Sequence, residues 1–213
     1  MERARRCVFK HKSVGFLVIL MVLVGVARVL ADEANVDWIS LRAAYTHYTK
    51  DPNEENAENV RSFLPYKPIS AVSGGVRRSQ KETEEFIRKH LITLESQVFR
   101  GQRSAIRLAY HFYMISDTGK FTESLNVILG NLICRNPRLF LQELKGNHRF
   151  APSMTDLLMS YGSDYKSNEK RQHAEFHKRL AALRKVQDWE LQDIRDECIE
   201  FMEQNPKPSE VLN

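Results

Sequence analysis

Residues 105–115 read Ala105-Ile106-Arg107-Leu108-Ala109-Tyr110-His111-Phe112-Tyr113-Met114-Ile115. Wound at 3.6 residues per turn, this run puts apolar side chains on nearly every side, the pattern of a helix packed by several neighbours. It shows no alternation of apolar and polar residues and so does not read as a half-exposed strand. Gly101 precedes it and Asp117-Thr118-Gly119 stops it, predicting a central helix over 102–116.

The same periodicity extends in both directions. Upstream, Ser79 and Glu82 have the spacing of a capping box, predicting a helix from there to about Arg100 with Phe86, Ile87, Leu91, Leu94 and Val98 on one side. Further upstream, 36–49 and 53–64 read as two shorter helices separated by Asp51-Pro52. Downstream, 121–135 carries Leu125, Ile128, Leu129, Leu132 and Ile133. Asn136-Pro137 then starts another helix, with proline where its missing amide costs nothing. That helix ends at Gly146, and Ser153 with Asp156 opens a short one around 157–161. From Asn168 to Gln204 there is no proline or glycine, predicting one long amphipathic helix whose stripe is weakened by Gln187.

The expectation is an all-α fold of about eight helices. Short connections imply stacked antiparallel helical hairpins, as an irregular bundle or a short α-solenoid-like array ending in the long helix. The pattern resembles the hairpin architecture of helical-repeat proteins, although no fixed period recurs. Four segments follow: 1–31 a signal peptide or uncleaved anchor, 32–64 an N-terminal helical hairpin, 65–78 a Pro/Ser/Gly linker, and 79–213 the main helical domain.

The first segment carries Arg3, Arg5, Arg6, Lys10 and Lys12, then an uncharged run from Val14 to Ala27. That run is about as long as a signal-peptide core and shorter than the ~20 residues of a membrane span. Val29-Leu30-Ala31 supplies small or branched residues for cleavage after Ala31, before Asp32-Glu33. Arg5-Arg6-Cys7-Val8-Phe9-Lys10 resembles a twin-arginine export signal, with Ala4 where that signal usually has serine or threonine. The hydrophobic core favours ordinary unfolded secretion. The expected compartment is the bacterial periplasm or the exterior. The alternative is an inner-membrane anchor holding the domain outside the cytosol, so that membrane contact runs only through an uncleaved leader.

The chain has 32 Lys+Arg and 27 Asp+Glu, an excess that suggests nucleic acid as a partner. The first 31 residues hold six of the bases and one of the acids, so residues 32–213 carry 26 of each. A charge-neutral body lacks the field that drives phosphate-backbone binding, and no nucleic-acid partner is expected. Cys134 and Cys198 follow the leader. A bridge between them would close a loop of 64 residues and contribute ~4 kcal/mol, and two unpaired buried thiols are the alternative.

Two clusters carry candidate chemistry. Arg103, Arg107 and His111 recur every four residues on the most apolar helix, where an arginine must find an anion. The anion is a carboxylate of the fold, such as Glu84, Glu85, Glu95 or Glu143, or else a carboxylate or phosphate ligand matched to the guanidinium fork. Glu169, His173 and His177 share one helical face in the manner of metal ligands. However, the His-Ala-Glu-Phe-His order is not the zincin pattern, and a solvated face is the plainer reading. Trp38, Tyr45, Tyr48, Tyr161 and Tyr165 are aromatic candidates for core or interface, and Tyr66-Lys67-Pro68 for a docking strip. No nucleophile elbow, phosphate loop, dinucleotide fingerprint or Cys-x-x-Cys occurs. The residues therefore favour a non-enzymatic exported protein that binds a protein or peptide and needs no cofactor. An α-helical enzyme or small anionic-ligand binder using the Arg/His stripe is the alternative, and a metal-binding protein a third.

Overall fold

The computed structural model describes residues 36–64, 74–116, 119–147, 154–162 and 168–205, which are mostly helical with no strand among them. Ala31 and the leader, most of the expected linker, Ser153 and Tyr165 lie outside the described residues. The chain divides into two units, Met1–Val36 and Asp37–Asn213, and every helix below belongs to the second. No helix among the described residues is long and apolar enough to cross a membrane.

Helix α1 spans Trp38–Lys50 and is capped by Asp37, whose Oδ1 accepts the amides of Ile39 at 3.2 Å and Ser40 at 3.0 Å. Helix α2, Glu54–Ser62, is capped by Asn53 through the Asn56 amide at 2.8 Å. These two helices pack on each other and on the rest of the unit. α1 packs on a helix of the main body, and α2 packs on the apolar helix read first in the sequence. The reason is visible in the side chains: Trp38, Tyr45 and Tyr48 are all buried, and the Tyr45 ring meets Phe112 edge-on at 5.5 Å.

The single helix expected from Ser79 to Arg100 is two. Helix α3 covers Gly74–Lys89 and α4 covers Leu91–Phe99, with His90 outside helical geometry between them. Helix α3 starts five residues before Ser79, so Ser79 is no cap, and Glu82 instead pairs with Arg78 at 3.0 Å. The break is stabilised from α1, where the Tyr45 hydroxyl donates to the His90 carbonyl at 3.2 Å. The His90 ring also meets the Phe86 carbonyl at 2.8 Å. A tertiary hydrogen bond from a residue 45 positions away is invisible to local periodicity.

Helix α5 is Arg103–Ile115, preceded by Gly101 at φ +77°. Helix α6 is Gly119–Arg135 and packs on α3, α4 and α5. Helix α7, Pro137–Asn147, begins as the sequence predicts, with Asn136 accepting the Leu139 amide at 3.1 Å and Pro137 at the first position. Helix α8 is the short Met154–Met159.

The long terminal helix is also divided. Helix α9, Glu169–Arg184, ends at Lys185, and a 3-10 turn at Trp189–Leu191 leads into α10, Gln192–Gln204. No proline or glycine is needed for this break. Val186 turns into the core, Asp188 caps the amide of Glu190 at 3.1 Å, and Arg195 donates to the freed Val186 carbonyl at 2.7 Å. Both α9 and α10 pack on α7, and α10 also packs on α8.

One buried guanidinium ties three of these elements together. Arg179 of α9 is 0% exposed; it donates to the Leu158 carbonyl at the end of α8 (2.8 Å) and to Asn131 of α6 (3.3 Å). It stacks 4.6 Å from the Tyr161 ring, and Glu175 lies 3.8 Å from its Nε. Gly130 of α6 makes room for it, since a Cβ there would lie 2.6 Å from Arg179 Nη1 and 2.9 Å from the Leu157 carbonyl. Gly130→Ala is therefore expected to overpack this contact and destabilise the fold by about 1–3 kcal/mol. Urea unfolding checks it: an unchanged midpoint would mean that Arg179 has slack the structure does not show.

Candidate functional site

Every residue of α5 is buried except Arg103 and Arg107, so this helix meets solvent along one line only. On one side of that line stands the last turn of α2, carrying Arg61. On the other stands α7, carrying Gln142, Glu143 and Gly146. Together they enclose a cleft of about 460 Å³ lined by three arginines and one carboxylate.

The contacts show what the fold itself uses. Arg107 Nε donates to Glu143 Oε2 at 3.1 Å, and Arg103 Nε lies 4.0 Å from Glu143 Oε1. Of the four carboxylates that the sequence offered as partners, Glu143 is the one that meets this stripe. Arg103 Nη2 also donates to Gln142 Oε1 at 3.0 Å. The Glu143 side chain is only 8% exposed, whereas Arg107 is 43% and Arg103 59% exposed. The carboxylate thus sits at the floor, with the guanidinium ends reaching outward. The terminal nitrogens of Arg107 make no hydrogen bond to the protein among the described residues.

His111 stands behind the cleft and does not line it. Its Nδ1 accepts from Arg61 Nε at 3.3 Å, which assigns the neutral ring its Nε2–H tautomer. Arg61 Nη1 donates to both Glu58 oxygens, at 2.6 and 2.8 Å. Burial pushes the His111 pKa down to about 4, with the Arg61 charge acting in the same direction and Glu58 opposing. A neutral His111 thereby anchors the third arginine without adding charge.

The arrangement is donor-rich. Three guanidiniums face one carboxylate in the lining, and none of the lining residues carries a hydroxyl or thiol that could act as a nucleophile. Guanidinium groups so placed are suited to meeting an anion.

The remaining candidates fall elsewhere. His173 and His177 do meet, with Nε2 atoms 3.1 Å apart, but Glu169 does not join them. Among the described residues no group of three His, Cys, Asp or Glu side chains is placed to hold a metal. Cys134 and Cys198 are both free thiols rather than a bridge. Cys134 donates to Glu175 Oε1 at 3.3 Å, and burial with that carboxylate raises its pKa to about 11. Cys198 lies in the core, where burial raises its pKa to about 12. Neither is a reactive thiolate at neutral pH. Tyr161 is a platform for Arg179, and Trp38, Tyr45 and Tyr48 are core.

Arg61 and Gln142 were not evident in the sequence, because each joins the cleft from a different helix with no shared spacing. Comparison with protein-family models, curated proteins and solved structures finds no match to this chain.

The His111 shift has a consequence for stability. Its folded pKa of about 4 lies below its ordinary 6.5, so between those values the unfolded chain binds a proton that the folded one refuses. That contribution is therefore neutral above pH 6.5, becomes destabilising as pH falls toward 4, and is constant below. Denaturation of wild type and His111→Asn across pH 4–7 is expected to show a shallower acid loss in the variant. Parallel profiles would contradict the buried neutral assignment.

Proposed function

We propose that this chain is an exported, non-enzymatic binding protein built as a helical array of stacked hairpins. Its cleft between α2, α5 and α7 grips acidic side chains or a terminal carboxylate of a protein or peptide partner. The observation that carries this reading is the convergence of Arg61, Arg103 and Arg107 from two helices on one 460 Å³ cleft whose single lining carboxylate lies at its floor. Export rests on the leader, with cleavage after Ala31 expected. An uncleaved leader would anchor the same domain outside the cytosol.

Exposure favours a macromolecular partner over an enclosed metabolite. Small-ligand sites typically bury about 70–90% of the ligand, but the arginines that would hold a ligand here remain half in water. An open cationic wall suits a charged group presented on a larger surface, with the rest of the affinity supplied by surrounding contacts.

Fluorescence anisotropy with a labelled Asp/Glu-rich peptide, alongside thermal shift with citrate and inorganic phosphate, tests the reading. Peptide binding is expected to weaken at least tenfold in Arg107→Lys, which keeps a positive charge beside Glu143 and so near-wild-type melting. Glu143→Gln is expected to tighten it, because that change removes the competing carboxylate and frees both arginines. A purely structural pair predicts instead that peptide affinity is unchanged in both variants. Stabilisation by citrate or phosphate without peptide binding would favour the small-ligand reading of the same cleft.

A further inference from the structure

The two histidines of α9 form a site independent of the anion cleft. His173 and His177 lie one turn apart near the middle of a sixteen-residue helix, with rings 4.3 Å centroid to centroid and Nε2 atoms 3.1 Å from each other. Two imidazole nitrogens bound to one metal at ~2.0–2.1 Å and separated by this distance would subtend roughly 95–100° at the ion. That bite lies close to the right angle of tetragonal coordination and short of the tetrahedral angle.

The pair is also held in place. Phe176, buried against the core, meets the His177 ring edge-on at 5.3 Å and 89°. Two residues past His177, the fully buried Arg179 ties the helix to α6 and α8. Meanwhile His177 is exposed and His173 half-exposed, so the facing nitrogens are reachable from solvent. In the metal-free pair one Nε2–H donates to the other Nε2. On chelation the donor ring moves its proton to Nδ1, and both Nε2 lone pairs bind the ion.

We propose that His173 and His177 form a two-histidine chelate for a divalent cation of the copper class. Imidazole donors and the bite angle favour Cu²⁺ over Ni²⁺ and Zn²⁺, in line with the general affinity order for nitrogen sites. Among the described residues no third side chain joins them, and water or a donor on another molecule would complete the coordination. Glu169, one turn earlier, takes no part.

The test is Cu²⁺ titration of the full chain, read by electron paramagnetic resonance and by thermal shift. The expected result is one ion per chain in an axial spectrum with two coupled nitrogens, together with a rise in Tm. His177→Gln is expected to lower the affinity at least tenfold and abolish the Tm rise, while His90→Gln leaves both unchanged. The decisive variant is His177→Ala with Lys178→His, which keeps all seven histidines of the chain but moves the second ligand to i+5. Loss of binding there supports the chelate. Retention of the same spectrum and affinity in that variant, or Zn²⁺ binding as tightly as Cu²⁺, overturns it.

Discussion

Helix α5 has almost no surface to give to water, and the rest of the structure is arranged around that constraint. Each of its large apolar side chains gains about 1.5–3 kcal/mol by burial, which is why α2, α4, α6 and α7 all pack on it. A helix so covered leaves one line open, and Arg103 and Arg107 occupy that line. The cleft is not an accessory pocket added to the fold. It is the gap left between α2 and α7 where neither can cover a helix that carries charge.

The molecule handles buried cations in two ways. Arg179 is taken wholly into the core and compensated there by a helix-end carbonyl, an amide, an aromatic face and a nearby carboxylate. Such a group is tolerated only because these neighbours offset its charge, since an uncompensated charge at that depth would be prohibitive. Arg107 is treated differently: its Nε meets the shielded Glu143 while its far end stays wet. The first arrangement fixes three elements relative to one another. The second leaves hydrogen-bonding capacity unspent at the surface.

The sequence makes the all-α class and the central helix legible, because nothing but helix accommodates residues 105–115 with apolar side chains all round. It also supplies Glu143 as a partner for the arginine stripe, since that pairing follows from the cost of an unpaired charge. The divisions at His90 and at Lys185–Asp188 are not legible. Each depends on a distant or side-chain donor, Tyr45 in one case and Arg195 in the other, and no glycine or proline marks the place. Arg179 is hidden for a related reason: in a helix crowded with charge it looks like one more solvated residue, and only the facing Gly130 reveals that it points inward. Arg61 sits on a polar helix whose docking onto α5 local periodicity cannot encode.

The identity of the residue at position 107 bears on what the cleft is for. Glu143 needs a positive charge beside it, and an ammonium would meet that need as a point charge as well as a guanidinium does. What an ammonium cannot do is satisfy Glu143 through one nitrogen and still present a planar pair of donors on the other side. Arg107 has that geometry, whereas Arg103 already commits Nη2 to Gln142. Arg61 differs, because His111 takes its Nε and Glu58 takes its Nη1 through both oxygens, so only Nη2 is left to face the cleft. All three guanidiniums are positioned by neutral or anionic partners behind them. Glu58 and Glu143 thus offset charge and fix the orientation of Arg61 and Arg107 at the same time. On the proposed reading, the outward nitrogens of Arg107 are what an anion arriving from solvent would meet.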